Sequence, residues 1–404
     1  MRDTDLLQSA LALTAPWLVA HSRFDAARRR LDIAIDFPKG SRFACPNCGA
    51  ADCAAYDTEE TTWRHLNFFQ HEAYLHARVP RVQCGTCGIR KLTVPWARPG
   101  SGFTRLFEAL IMEMVRAMPV RAVARLVNEH DTRLWRVVHH YVEQARARAD
   151  FSTVTEVAFD ATAARRGHDY VSLFVDIDRA RVLFATEGKN AGTVAAFAAD
   201  LAAHRGDPHA VREVCIDMSP AFIKGAATSL PNAAITFDKF HAVKIVNDAV
   251  DRVRRTEQKN RGGLLKGTRY LWLRNPAALS DTQRAALDGL ARRNLKTARA
   301  YQIRLTFQEL YAQPAGEAAA FLKRWYFWAT HSRLAPMIEA ARTLKRHWNG
   351  ILRWFQTRIA NGLIEGINSL VQAAKAKARG YRSARNLKAI IYLIAGKLDL
   401  AIPT

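Results

Sequence analysis

Val154-Thr-Glu-Val-Ala-Phe-Asp160 and Val211-Arg-Glu-Val-Cys-Ile-Asp217 are short apolar runs, each closed by an aspartate where a strand would end. A third segment, Asn361-Gly-Leu-Ile-Glu-Gly-Ile-Asn-Ser-Leu-Val-Gln-Ala-Ala-Lys375, carries Glu365. That glutamate is the only acidic residue between Glu339 and Asp399, and twelve lysines and arginines share the interval. A solvated helix face normally interleaves both signs, so a lone carboxylate in a basic field asks for an explanation. Two strand-end aspartates and a helical glutamate suit a two-metal phosphoryl-transfer site, where carboxylates bridge ions about 3.5–4 Å apart. The basic surroundings suit a polyanionic substrate.

Around these residues the pattern reads as a sheet. Strand-like runs at 154–160, 169–177 and 180–186 precede a helical stretch at 191–204 that begins after Asn190. The run ending at Asp217 is followed by a helix from Ser219, and a fifth run, Ala233–Phe237, ends at Asp238. The order β-β-β-α-β-α-β is that of a ribonuclease-H-like sheet. Residues 245–345 read as helical, rich in arginine and aromatics such as Trp272, Trp325, Tyr326 and Trp328.

Competing readings accompany each carboxylate. A strand-end aspartate often caps a turn or helix, and Asp217 could cap the helix that starts at Ser219. For Glu365, a helix starting near Asn361 puts Leu363, Ile367, Leu370, Val371 and Ala374 on an apolar face. Glu365, Asn368, Ser369, Gln372, Lys375 and Arg379 share the other face. A carboxylate in a first helical turn also gains from the dipole, but here its face continues as a polar, basic surface suited to nucleic acid. Glu309, Glu317 and Glu339 are rivals in less distinctive settings. In Phe-Asp-Lys-Phe-His at 237–241, Asp238 and His241 stand near another strand end, as a cap and a core residue or as neighbours of the metal ligands.

Four of the six cysteines form two C-x-x-C pairs, Cys45 with Cys48 and Cys84 with Cys87, each followed by glycine. Two such pairs on tight turns can close a tetrahedral structural zinc site, with His65, His71 and His76 between them as dispensable alternatives. Cys53 and Cys215 fall outside the pairs, and Cys215 sits in a strand-like run where burial is usual. Strand-like runs at Trp17–Phe24, Arg30–Phe37, Thr61–Phe68 and Glu72–Val82 complete a strand-rich module. A Pro/Gly-containing linker, Pro95–Gly102, leads to helical periodicity over Phe103–Met118, a short helix Val120–Val127, a turn at Asn128–His130, and a long helix from Thr132 capped by Asp131. This is the order of a helix-turn-helix, and its pattern exposes Arg121, Arg125, Arg133 and Arg136 for DNA.

The composition agrees: 60 Lys plus Arg against 37 Asp plus Glu give a formal net charge of +23, which favours phosphate backbones. Apolar content of 49% can fill real cores. No apolar run approaches the ~18 residues of a membrane span, and Asp3 and Asp5 stand where a signal peptide needs positive charge. The expectation is a cytoplasmic, DNA-associated protein.

Taken together, C-P-N-C-G, C-G-T-C-G, the helix-turn-helix, I-D-M-S at 216–219, F-D-K-F-H, L-K-G-T-R-Y-L-W-L-R-N at 265–275, and N-G-L-I-E-G-I-N-S followed by A-R-G-Y-R at 378–382 resemble a DDE transposase of the bacterial ISL-three insertion-sequence family. The resemblance covers nearly the whole chain. One local departure is the stretch around Cys53, which adds a cysteine near the zinc pair. The resemblance implies an α+β multidomain protein: a zinc-ribbon-like module over 1–98, a helix-turn-helix over 99–150, and a ribonuclease-H-like α/β catalytic core over 151–245 and 345–404, interrupted by a helical insertion over 246–344. It places the catalytic triad on Asp160, Asp217 and Glu365 with Mg2+ (or Mn2+), and structural zinc on the four cysteines. DNA contacts fall to the four helix-turn-helix arginines and to Lys375, Arg379 and Arg382. The implied partners are the element's terminal inverted repeats and target DNA, bound by a homo-oligomer. The implied reaction is hydrolysis at the element's end, then attack of the freed 3′-hydroxyl on target DNA. A transposase-derived DNA-binding regulator and a nuclease without strand transfer are the competing classes.

Overall fold

Apolar and polar residues alternate between the two cysteine pairs, and in the structure, a computed structural model, these stretches form one long hairpin. Residues 2–165, 167, 169–359 and 362–402 are described. The chain divides into two units, Met1–Gln144 with Asp399–Thr404, and Ala145–Leu398.

In the first unit, α1 (Asp3–Ala10) precedes β1 (Leu18–Asp25), β2 (Arg30–Asp36), β3 (Arg42–Phe43), β4 (Cys53–Phe68), β5 (His71–Cys84) and β6 (Gly88–Lys91). The strand order is β1-β2-β5-β4-β3, with β6 also paired to β5. β2 and β5 run parallel, while the other pairs are antiparallel. Period-2 alternation buries Leu31, Ile33 and Ile35 of β2 and Ala73, Leu75, Ala77 and Val79 of β5, packed with Trp17, Trp63 and Trp96. Helices α2 (Arg105–Ala117), α3 (Val120–Leu126) and α4 (Asp131–Ala147) follow.

Arg64, only 1% exposed, ties the sheet to the helices. Its guanidinium donates to Ala73 O (3.2 Å) and Asn67 Oδ1 (2.6 Å), lies 4.9 Å from the Phe107 ring centroid, and stands 4.0 Å from Glu129. Next to it, His65 Nδ1 is 2.9 Å from Oγ1 of Thr104, the N-cap of α2. Burial, reinforced by the Arg64 charge, holds the His65 imidazole down at about 4.

In the second unit, β7 (Glu156–Ala163), β8 (Tyr170–Asp176), β9 (Arg181–Glu187), α5 (Ala191–Ala203), β10 (Glu213–Ile216), α6 (Pro220–Ser229) and β11 (Ala234–Phe237) come first. They form a sheet of order β11-β10-β7-β8-β9, antiparallel through β7-β8-β9 and parallel through β7-β10-β11. The next stretch is helical: α7 (Lys239–Asn260), α8 (Arg269–Leu273), α9 (Asp281–Ala291), α10 (Lys296–Glu309), α11 (Ala315–Thr330), α12 (Ala335–Arg346) and α13 (Trp348–Thr357). Its buried Trp272 and Trp325 join the core that underlies the sheet. α14 (Gly362–Lys377) and α15 (Ala384–Ala395) complete the unit. Among the described residues, no helix is long and apolar enough to cross a membrane.

Helix α13 packs so closely on β11 that a Cβ at Gly350 would fall 2.4 Å from Phe237 Cδ2 and 3.0 Å from Ile235 O. The Gly350→Ala chain should therefore lose about 1–3 kcal/mol, as overpacked cores do. Gly289, in α9 with nothing near its Cβ position, should accept alanine with a neutral or raised thermal midpoint. A second expectation concerns acid. Folding suppresses the His65 pKa, so its neutral form supports stability above the ordinary value of 6.5, and that support fades as pH falls from there toward about 4. The amount is about 3 kcal/mol, at about 1.4 kcal/mol per pKa unit. A His65→Gln chain should show a shallower loss of stability across that window in urea unfolding followed at both pH limits; an unchanged slope would remove His65 from the acid response.

Candidate active site and metal centre

Parallel register is what assembles the carboxylates. Ala158 of β7 pairs with Cys215 of β10, which pairs with Thr236 of β11. Two residues beyond each stand Asp160, Asp217 and Asp238. Period 2 therefore carries all three aspartates to one level of the sheet, on one face. The amide of Asp238 donates to Ile216 O at 3.1 Å, continuing the register past β11.

Helix α14 brings the glutamate across. Asn368 Nδ2 donates to Asp160 Oδ2 (2.9 Å), Gln372 Nε2 to Thr162 Oγ1 (2.8 Å) and Ala163 O (3.0 Å), and Lys375 Nζ to Ala163 O (2.7 Å). Glu365 lies one turn before Asn368 on the same face. Asn368 is the site residue whose role sequence reasoning missed. Its i+3 spacing from Glu365 was the available signal.

The electrostatics report the crowding. Burial raises the Asp160 carboxyl, and the Asp217 charge raises it further. Glu365 is raised by burial and then by Asp238, with His241 and Lys239 opposing. His241 is raised by its hydrogen bond to Asp238 Oδ2 (2.9 Å) and by the charges of Asp238, Asp217 and Asp160. Asp238 also accepts from the His241 backbone N–H, so it caps α7, while among the described residues its buried Oδ1 has no partner, and neither has Asn368 Oδ1. Partially desolvated carboxylates with unsatisfied oxygens are a donor set that fits hard divalent cations. They do not close into a ready cluster as the cysteines do.

Several expectations need correction. Asp160 does not end its strand: β7 continues because Ala161, Thr162 and Ala163 keep pairing with Ser172, Val171 and Tyr170 of β8. Asp217 directly follows β10, and its Oδ1 accepts from Ser219 N (2.9 Å), so it also serves as the turn acceptor. The buried stripe of α14 is Ile364, Ile367 and Val371, with Leu370 46% exposed, because the Asn368, Gln372 and Lys375 bonds rotate the helix toward β7. Asn361, the expected helix start, lies outside the described residues. Asp131 is the first residue of α4 rather than its cap, and Thr132 N donates to the His130 ring instead (3.3 Å).

The candidate DNA-contacting arginines divide. Arg121, Arg125 and Arg136 are exposed, as are Arg379 and Arg382. Arg133 is half-buried, bonded to Glu129 (2.6 Å) and placed over the Phe103 ring (4.2 Å). Lys375 is held by β7. Among the rival glutamates, Glu339 is paired with Arg252 (2.7 Å) at the surface, and Glu309 and Glu317 are exposed.

In the first unit, the Sγ atoms of Cys45, Cys48, Cys84 and Cys87 all lie within 4.8 Å of one another, and Cys48 and Cys84 are 3.6 Å apart. Zn–S bonds of ~2.3 Å in a tetrahedron would set the sulfurs ~3.8 Å apart. Gly49 (φ +75°) and Gly88 (φ +71°) take the left-handed conformation that turns the chain after each pair. Backbone N–H groups of Cys87 and Thr86 hold the Cys84 thiol down at about 6, and those of Cys48 and Asn47 lower Cys45. The Cys87 thiol is pushed up by its hydrogen bond with Cys48 and then by burial. Cys53 is buried and bonds to Ala50 O (3.5 Å), outside the ligand set.

Three family models match this chain in the order of its parts. Residues 41–87 match a zinc-finger of transposase IS204/IS1001/IS1096/IS1165, residues 92–142 a helix-turn-helix domain of transposase family ISL3, and residues 157–391 the ISL3 transposase model. A transposase for insertion sequence element IS1557 from Mycobacterium tuberculosis is 28% identical, covering 82% of this chain and 80% of its own. A transposase for insertion sequence element IS1001 from Bordetella parapertussis is 29% identical, with 85% and 87% covered. With zinc site, helix pair and sheet-borne carboxylates in place, the class is that of a DNA transposase. The chain belongs to the ISL3 transposase family.

Metal analysis of the purified chain should give about one zinc per chain. Cys84→Ser should release it and destabilise the hairpin that joins the two cysteine pairs, since a structural zinc contributes folding free energy directly. A Cys45→Ser, Cys84→Ser chain that keeps its full zinc would overturn the ligand assignment.

Proposed function

We propose that the Ala145–Leu398 unit is a ribonuclease-H-like catalytic core, its helical stretch over 246–344 an insertion, in which Asp160, Asp217 and Glu365 hold Mg2+ (or Mn2+) and cut and join DNA. One observation carries this reading: the shared level of Asp160 and Asp217 on neighbouring parallel strands, with the Glu365 helix bonded to Asp160 through Asn368. When bound, the divalent ions supply Lewis-acid stabilisation of the phosphoryl oxygens and a lowered pKa for the attacking oxygen. Asp160, Asp217 and Glu365 supply the anionic oxygens. Asn368 orients Asp160 with a neutral amide, and the His241 ring hydrogen-bonds the Asp238 carboxylate and holds it in place.

Water first breaks a phosphodiester at the element's end and leaves a 3′-hydroxyl. That hydroxyl then attacks a target phosphodiester, so one P–O bond forms as another breaks and the leaving oxygen takes the proton. The relatives are transposases for insertion sequences, and the substrates here are the terminal inverted repeats of such an element and its target DNA. Residues 1–98 and 99–150 serve end recognition. Arg121, Arg125 and Arg136 face the DNA there, and Arg379 and Arg382 extend the phosphate surface of the core. Paired ends call for a homo-oligomer on DNA.

Asp160→Asn, Asp217→Asn and Glu365→Gln should each lower cleavage and strand transfer by roughly 10^2–10^3-fold or more, as loss of a transition-state charge partner does, with end binding kept. Glu309→Gln, Glu317→Gln and Glu339→Gln should still cleave with Mg2+. The assay is a labelled donor duplex incubated with plasmid target. An active Glu365→Gln enzyme returns Glu365 to a helix-dipole role, and cleavage without joining by the unaltered chain favours the nuclease class.

A further inference from the structure

The end of the N-terminal sheet farthest from zinc carries side chains that neither the metal site nor the helix pair accounts for. β2 and β5 begin at one level, Arg30 pairing with Glu72, so the β1–β2 turn and the β4–β5 turn project together. The 14-residue β5 runs ~45 Å at ~3.3 Å per residue from this tip to Cys84. At the tip, Phe24 is 47% exposed, Phe68 42% and Phe69 80%. Phe24 stacks edgewise on His71 at 4.9 Å and Phe68 on Phe69 at 4.7 Å, a continuous apolar edge. Arg23, Arg28 and Arg29 stand exposed beside it, against Asp25 as the nearest acid in the turn.

Phe69 is also in the wrong conformation for its type. Its φ of +53° is left-handed backbone that glycine or asparagine adopts without penalty and that a bulky residue adopts at a cost. Beyond its edgewise contact with Phe68, a phenylalanine there adds little to the fold, since most of its ring is out in water. Strain combined with exposure points to a role outside the folded chain.

The tip is also not free to wander. Asn128 Nδ2, in the turn between α3 and α4, donates to Glu72 Oε1 at 2.6 Å, and Arg64 fixes the same corner through Ala73, Asn67 and Glu129. It therefore sits beside the start of α4, the end of a recognition helix that meets base edges.

We propose that this aromatic and basic tip is a second DNA-contacting element, engaging the duplex next to the segment read by α4, with Arg23, Arg28 and Arg29 on the phosphates and Phe69 wedged against a base step. The inference rests on α3–α4 as the DNA-binding helix pair. The partner is double-stranded DNA because the arginines complement a polyanion and the surface continues the one formed by the helix pair. Aromatic wedges flanked by cations are a chemistry that groove-binding proteins use on duplexes.

The test uses the full-length, zinc-loaded chain and two fluorescein-labelled duplexes of equal length, one carrying the element's terminal repeat and one a scrambled sequence. Phe69→Gly should leave the thermal midpoint equal or higher, because it relieves the strained backbone, yet weaken binding to both duplexes by about 10-fold, within the range of one lost base-stacking contact. Arg28→Ser with Arg29→Ser should lower the slope of log affinity against log salt by about 2. Arg136→Ala serves as the separate control and should reduce the preference for the terminal repeat. Unchanged duplex affinity and salt slope in the tip variants overturn the proposal even when Arg136→Ala behaves as expected. If Arg136→Ala leaves the preference intact, the α4 reading fails instead. Loss of self-association without DNA, with duplex binding intact, would make the tip an interface between copies of the chain and overturn the proposal as well.

Discussion

Like charges brought to one level of a sheet must be held there by something other than attraction. The parallel register of β7, β10 and β11 does this for Asp160, Asp217 and Asp238, since ladder hydrogen bonds fix the strands whatever their side chains prefer. Burial first, and the Asp217 charge after it, raise the Asp160 carboxyl, while the hydrogen bond to Asp238 and then the surrounding aspartate charges raise the His241 imidazole. Close packing behind the sheet, such as Phe237 against α13, keeps the strand ends from relaxing apart. A site whose charges repel in isolation has free energy to gain from a divalent cation, and the framework supplies the restraint that makes that gain usable.

The first unit depends on a different restraint. Arg64 places a cation in the angle between a β-sheet and a helix pair and satisfies it with carbonyls, an amide and a ring face. Glu129 then stands between Arg64 and Arg133, which explains why Arg133 turns inward while Arg136 remains exposed. Because zinc closes one end of the β4–β5 hairpin and Arg64 braces the other, the helix pair and the hairpin tip share one frame. Desolvation of the neighbouring His65 is the cost of that junction, and it makes acid its point of weakness.

The sequence displayed much of this. Paired cysteines followed by glycine, period-2 alternation over the long hairpin, and apolar runs ending at Asp217 and near Asp238 are local signals, and each found its element. What it could not display depends on tertiary placement. The continuation of β7 past Asp160 follows from pairing with β8, not from the intrinsic preference of Ala161–Ala163. The rotation of α14 follows from side-chain bonds to β7, which bury Ile364 and leave Leu370 in water. A helical wheel sees Asn368, Gln372 and Lys375 as a solvent face, because nothing in spacing alone distinguishes a polar residue facing water from one facing a strand's hydroxyl and carbonyl groups. The same limit applies to Arg133.

The choice of partner for Asp160 sets it apart from the arginine-paired carboxylates of this chain. Asp57 is bound by the Arg81 guanidinium and Glu339 by that of Arg252, and both carboxyls are lowered by those bonds. An acid neutralised in that way has little left to offer a divalent ion, because the arginine must first be displaced. Asp160 instead receives the neutral amide of Asn368 and the N–H of Ala161, which orient its oxygens without cancelling their charge. Twelve basic residues lie between Glu339 and Asp399, yet an amide was placed at this contact. An arginine at position 368 would have stabilised the metal-free fold and closed the site. The asparagine puts no cation on Asp160, as the proposed role in holding a metal ion requires.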